Sequence, residues 1–160
     1  MNRIFFLILI AIFFAACSNT SYQKAESASG VKNETSKTEI PYTIAERYFV
    51  RNTVNDKLFE LKIDSAEEFE KYLGIGTIMG ERGKATEIDF SLQSVLAIIV
   101  PESQHVTTID SKELVKEGDQ IVFRYIVKRG KEQSFKVRPV LLIIVDKEYS
   151  KDVKFYGEEI

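Results

Sequence analysis

The chain has 160 residues and near-balanced charge, with 22 lysines and arginines against 24 aspartates and glutamates and a formal net charge of −2. This balance lacks the basic excess of a nucleic-acid-binding surface, so we expect no nucleic-acid partner. One cysteine and one histidine exclude an internal disulfide and the common zinc sites, so we predict no metal ligands.

The N-terminus, residues 1–16, has the parts of a bacterial secretion signal. Arg3 supplies a positive charge, an apolar run extends from Ile4 to Ala16, and small residues stand directly before Cys17. This order is typical of a lipoprotein signal peptide. We predict that residues 1–16 are cleaved away and that the thiol of Cys17 carries the lipid. Two or three acyl chains would hold the protein firmly at a membrane.

The residues after Cys17 indicate where the protein is held. Ser18 follows the cysteine, and no aspartate stands there to suggest retention at an inner membrane. We therefore expect a lipid-anchored protein of the cell envelope, at the outer membrane, with either leaflet open. Residues 17–39 are mostly polar and are predicted to form a flexible tether after the lipidated cysteine. A single β-rich domain is predicted over residues 40–160.

The domain begins with patterns typical of β-strands and then changes period. Residues 42–50 and 58–63 mix β-branched, aromatic and alternating residues and predict two strands. Ser65-Ala66-Glu67-Glu68 is a capping box, which predicts a helix over residues 66–73. Gly74 is predicted to adopt the left-handed conformation that ends such a helix.

The second half is predicted to be almost entirely strands. Residues 94–100 are a continuous apolar run, which favours a central buried strand. Turns are predicted at residues 117–119 and 129–132. We expect an α+β fold, with a mostly antiparallel β-sheet or small open barrel and one short helix. The other predicted strands, in meander order, are residues 106–116, 120–128, 135–146 and 153–156.

No motif in the chain predicts catalysis or nucleotide binding. The glycines from Gly74 to Gly80 follow a predicted helix and lack the spacing of the dinucleotide fingerprint. In Gly83-Lys84-Ala85, alanine stands where a P-loop has serine or threonine. His105 is predicted to lie in a loop, with no positioned nucleophile. We therefore expect no enzyme activity, no nucleotide partner and no cofactor.

Two segments are predicted to bind a protein partner. Pro41 restricts the backbone before a predicted edge strand, and strand addition is a common recognition mode. This segment offers Ile40, Pro41, Tyr42 and Thr43. The glycine-rich loop over residues 74–84 is the second segment, because it would expose the apolar side chains of Ile75, Ile78 and Met79.

Four short segments of the second half carry a family resemblance: Ile88–Ser91, Val95–Ile99, Ile121–Tyr125 and Arg138–Ile143. Over residues 88–146 they resemble the C-terminal domain of the PrcB (protease complex subunit) family. The chain departs from that family at residues 101–105, where a Thr-Gly-Gly-Tyr-like turn is expected. An anchor, a polar tether and a β-rich module are also similar to the potempin group of protease inhibitors among small Bacteroidetes-type lipoproteins. The resemblance implies a protein that binds or restrains a secreted protease.

These observations lead to one functional hypothesis and one alternative. The first is a membrane-anchored protein-binding module that acts as an inhibitor or accessory subunit of a secreted peptidase. The alternative is a structural or assembly lipoprotein of an envelope complex, with no inhibitory activity. The identity of the partner and the oligomeric state stay open. Asp64-Ser65-Ala66 also fits a short O-glycosylation signal, which would compete with the capping role of Ser65.

We predict that the mature N-terminal peptide begins at Cys17 and carries a diacylglyceryl group on its sulfur, because this is the only thiol in the chain. Mass spectrometry of the protein extracted from membranes checks this mass. An unmodified N-terminal peptide, or a precursor left whole in the cytoplasm, would contradict the prediction.

Overall fold

The computed structural model describes residues 37–76 and 83–160. These residues form ten strands, one α-helix and a short 3-10 turn at Lys147–Tyr149. In chain order the elements are β1 (Lys37–Glu39), β2 (Thr43–Ile44), β3 (Tyr48–Val50), β4 (Phe59–Ile63), α1 (Ala66–Tyr72), β5 (Leu73–Ile75), β6 (Gln93–Ile99), β7 (Ser103–Glu117), β8 (Gln120–Val137), β9 (Val140–Asp146) and β10 (Val153–Glu159).

The strands make three sheets. The outer sheet has the strand order β1-β7-β8-β10, the central sheet has the order β2-β9-β6-β4, and β3 and β5 form a small sheet. The pairs are antiparallel except that β10 runs parallel to β8. The predicted α+β class, mostly antiparallel β with one short helix, is confirmed. The parallel pair departs from the predicted meander.

The central sheet is buried on both faces. Leu96 and Ile98 of β6 pack towards the outer sheet, in a cluster that includes Phe123. Their neighbours Val95 and Ala97 pack on the opposite face, with helix α1 and the small sheet. All four β6 side chains are fully buried. Each large aliphatic side chain buried in this way contributes about 1.5–3 kcal/mol, and the two-sided burial explains why β6 is a continuous apolar run.

The outer sheet is buried mainly on one face, and its opposite face also buries the paired valines Val115 and Val122. Ile121, Phe123, Tyr125 and Val127 alternate along β8 and face the central sheet. On the other face, Arg124 makes ion pairs with carboxylates of β7. Such half-exposed pairs contribute little net stability, so the sheet is held mainly by its inner face.

Helix α1 begins as predicted but ends differently. The Ser65 hydroxyl accepts a hydrogen bond of 3.2 Å from the backbone nitrogen of Glu68, which confirms the cap. The prediction for Gly74 was wrong, because the helix ends at an extended Leu73 (φ −126°, ψ 147°) that starts β5. Gly74 is required for another reason. A Cβ there would lie 2.5 Å from Cζ of Phe49, so the glycine makes room for that ring.

The prediction of a second turn, at residues 129–132, was wrong. β8 continues through these residues to Val137 and stays paired with β7, with register shifts beside His105. The extra residues of β8 are therefore absorbed as bulges instead of a reversal. The turn at residues 117–119 is confirmed, with Gly118 at φ 62°. His105 lies exposed in β7, not in a loop.

Three smaller boundaries also differ from the predictions. Lys37–Glu39, assigned to the tether, pair with β7 as strand β1; their side chains are exposed, so composition does not reveal the backbone pairing. The strand predicted over residues 42–50 is split into β2 and β3, and Arg47 between them has a positive φ of 67°. Pro139 lies between β8 and β9, which interrupts the strand predicted over residues 135–146.

We predict that Gly157→Ala lowers the free energy of unfolding by about 1–3 kcal/mol, the usual range for overpacking. A Cβ at Gly157 would lie 2.4 Å from Cζ of Tyr125, which is buried and cannot move aside. The matched variant Gly74→Ala should cost less, because the opposing Phe49 ring is half exposed and can turn. Urea unfolding of both variants measures the difference. Equal losses would contradict this account.

Candidate functional site

The first candidate site is the exposed span Pro41–Ile44, which lies between two buried residues. We call this span the edge segment. On its N-terminal side, Ile40 is buried and its backbone nitrogen donates to the Leu114 carbonyl at 3.0 Å. On its C-terminal side, Ala45 is buried and its nitrogen donates to the Leu142 carbonyl at 2.9 Å. The segment is therefore fixed at both ends, once to each large sheet.

The edge segment also lies at a sheet edge. It contains β2, the terminal strand of the central sheet, in which Thr43 is paired with Ile144 of β9. Tyr42 is 38% exposed and Ile44 is 51% exposed, so two apolar side chains face solvent beside this edge. An exposed edge strand offers backbone hydrogen bonds to an extended peptide, and the side chains supply selectivity.

The structure shows how exposed each residue predicted for this segment is, and it corrects one. Pro41, Tyr42 and Thr43 are exposed, as a partner contact requires. Ile40 is 4% exposed and packs in the core between the two large sheets, so its side chain is not available to a partner. Ile44 was missed. Strand alternation puts positions 40 and 44 on the same face, but the chain crosses from one sheet to the other between them.

The second predicted segment lies partly within the described structure. Ile75 is 61% exposed at the end of β5, in the small sheet, whereas the edge segment belongs to the central sheet. The two predicted segments therefore belong to different sheets. Ile78 and Met79 lie outside the described residues, as does the predicted lipid carrier Cys17.

Ile75 borders a cavity of about 500 Å³ beside helix α1. Its wall is aromatic. The ring centroids of Tyr48 and Phe69 lie 5.1 Å apart in an edge-to-face arrangement, and those of Phe69 and Phe90 lie 5.6 Å apart. Arg51 brings a positive charge to the rim, where its Nε donates to the Leu73 carbonyl at 3.0 Å. Burial, with a smaller effect of Glu87, raises the pKa of Tyr48. The cavity therefore combines an aromatic wall with two charged lining residues, Arg51 and Glu70.

A third region lies at the opposite edge of the central sheet. The hydroxyl group of Tyr125 on β8 donates a hydrogen bond to Oε1 of Glu60 on β4, with 2.7 Å between the two oxygen atoms. Gly157 of β10 leaves the space through which the Tyr125 ring passes. Burial raises the pKa of Tyr125, and the hydrogen bond to Glu60 raises it further. The contact links the outer and central sheets across the gap between β10 and β4.

We predict that Tyr125 makes the protein sensitive to alkali. Its raised pKa keeps the phenolic proton in the folded state at pH values where the unfolded chain loses it, above about pH 10. The free energy of unfolding should therefore fall by about 1.4 kcal/mol for each pH unit above that point. Tyr125→Phe removes this loss, so its stability deficit relative to wild type should shrink as pH rises. Urea unfolding at several pH values measures the two curves, and parallel curves would contradict the prediction.

In the part of the chain that the structure describes, no helix is long and apolar enough to cross a membrane. Among the same residues, no three or more histidine, cysteine, aspartate or glutamate side chains are grouped to hold a metal ion. In comparisons with known proteins, no protein-family model, curated protein or solved structure matches this chain.

Proposed function

We propose that the chain is a membrane-anchored lipoprotein whose domain binds another protein, and most concretely that it inhibits or accompanies a secreted peptidase. The observation that carries this proposal is the edge segment, which is exposed along Pro41–Ile44 and fixed at both ends by the buried residues Ile40 and Ala45. Cys17 is the proposed lipid attachment site. The polar residues that follow it are the proposed tether.

The edge segment has the physical properties that an inhibitor needs. A segment that is already ordered loses little conformational entropy when it binds, and each side chain that need not be immobilised saves about 0.5–1.5 kcal/mol. The backbone hydrogen bonds at Ile40 and Ala45 supply that order. Peptides recognised by strand addition use backbone hydrogen bonds and alternate side chains. Tyr42 and Ile44 have the spacing of two for this role.

The lipid anchor supports the same proposal through concentration. A domain tethered at a membrane meets partners in that plane at a raised effective concentration. No enzymatic role is proposed.

We predict that the double variant Tyr42→Ala/Ile44→Ala weakens peptidase inhibition at least about tenfold, since truncated apolar anchors at an interface cost about 1 kcal/mol or more each. The test uses the full chain in detergent to capture peptidases from culture secretions, and then measures inhibition of each captured enzyme. The matched control is Leu92→Ala/Tyr156→Ala, which truncates two other exposed apolar side chains. This control should inhibit like wild type.

Two outcomes would count against the proposal in different ways. Unchanged inhibition by the Tyr42→Ala/Ile44→Ala variant would exclude the edge segment as the inhibitory contact. Capture of a multi-protein complex with no inhibition of any peptidase would instead favour a structural or assembly lipoprotein.

A further inference from the structure

The two large sheets are joined on one side and open on the other. On the joined side, β1 of the outer sheet continues through Ile40 into β2 of the central sheet. On the open side, the terminal strands are β10 and β4, and within residues 37–76 and 83–160 no further strand pairs with the free side of either one. The edge segment lies at the joined side, so any site at the open side is separate from it.

The open side contains a groove of about 320 Å³, which we call the open-side groove. Its floor is formed by buried side chains, including Val100 and Tyr125. Leu58 of the central-sheet side is 48% exposed at one wall, and Gly157 of β10 stands at the other. The volume is near the lower limit of about 300 Å³ for small-ligand pockets. It therefore suits one long side chain of a larger partner.

The backbone of β10 offers hydrogen bonds beside this groove. Ile160, directly after β10, directs both its nitrogen and its carbonyl to the β8 side, at Val127 and Arg129. In a parallel pair, alternate residues of a strand bond to the same neighbour. The residues in between, among them Gly157 and Glu159, therefore direct their backbone groups away from β8.

The charges around the open-side groove favour a cation. Three carboxylates line it, those of Glu60, Glu158 and Glu159, against one guanidinium, that of Arg129. Arg129 is already paired with Glu159, and Lys112 is paired with Glu158. The negative charge available to a partner is therefore that of Glu60. One carboxylate oxygen of Glu60 accepts a hydrogen bond from the Tyr125 hydroxyl. A carboxylate can accept hydrogen bonds from further donors. Glu60 is exposed, so a lysine or arginine side chain above Tyr125 could reach its carboxylate and form a charge-assisted hydrogen bond.

We propose that the open-side groove binds an extended peptide segment of a partner protein, which pairs with the free side of β10 and places a lysine or arginine side chain beside Glu60. The interaction uses backbone groups at Gly157 and Glu159 and charge at Glu60. It gives the domain a second protein contact, independent of the edge segment.

The test titrates the full chain in detergent with a seven-residue, end-capped peptide that alternates threonine and valine around a central arginine. Isothermal titration calorimetry should show binding, and replacing the arginine with neutral citrulline should weaken it at least about tenfold, through loss of a charge-assisted hydrogen bond. Glu60→Gln keeps an acceptor for Tyr125 but removes the charge. This variant should weaken binding of the arginine peptide by about the same factor and leave binding of the citrulline peptide unchanged.

Controls separate charge, strand pairing and folding. Glu67→Gln removes an exposed carboxylate of helix α1 that pairs with Lys71, and should bind the arginine peptide like wild type. An arginine peptide methylated on alternate backbone nitrogens should not bind, because it cannot pair with β10. Thermal unfolding confirms that Glu60→Gln is folded. Equal affinity for the arginine and citrulline peptides, no binding of either, or full binding of the methylated peptide would overturn the proposal.

Discussion

The fold depends on the burial of both faces of the central sheet. β6 and β9 lie in the middle of that sheet and contribute alternate side chains to two separate cores. One core joins the outer sheet and the other joins helix α1, so neither layer could be removed without exposing apolar surface of the same two strands. Hydrophobic burial of this kind supplies most of the favourable free energy of folding. The ion pairs on the outer face are secondary to it.

Sequence patterns predicted the parts of the fold whose cause is local or strongly periodic. The apolar run of β6 and the alternation along β8 follow directly from which side chains are buried. The capping box at Ser65 joins residues only three positions apart in the chain. The errors arose where distant residues decide. Gly74 follows a helix but is needed for the Phe49 ring, and residues 129–132 have turn-like composition but are held in β8 by pairing with β7.

The candidate sites show the same division. The exposure of Pro41–Thr43 was predictable from a proline before a strand pattern. The burial of Ile40 was not, because it follows from a crossing between sheets that leaves no periodic signal. The open-side groove has no local signature at all. Glu60 and Tyr125 are 65 positions apart in the chain, and only the assembled sheets bring their oxygen atoms together.

The parallel pairing of β10 with β8 has a consequence for how the domain folds. The two long strands β7 and β8 are joined by a tight turn and can associate early, whereas β10 is the last strand in the chain and is separated from β8 by β9. Contacts across such separations form slowly, because loop closure precedes the stabilising contact. A nascent domain would thus pass through a stage in which β8 has a bare edge. At that stage it is open to misassembly or to assistance from a chaperone.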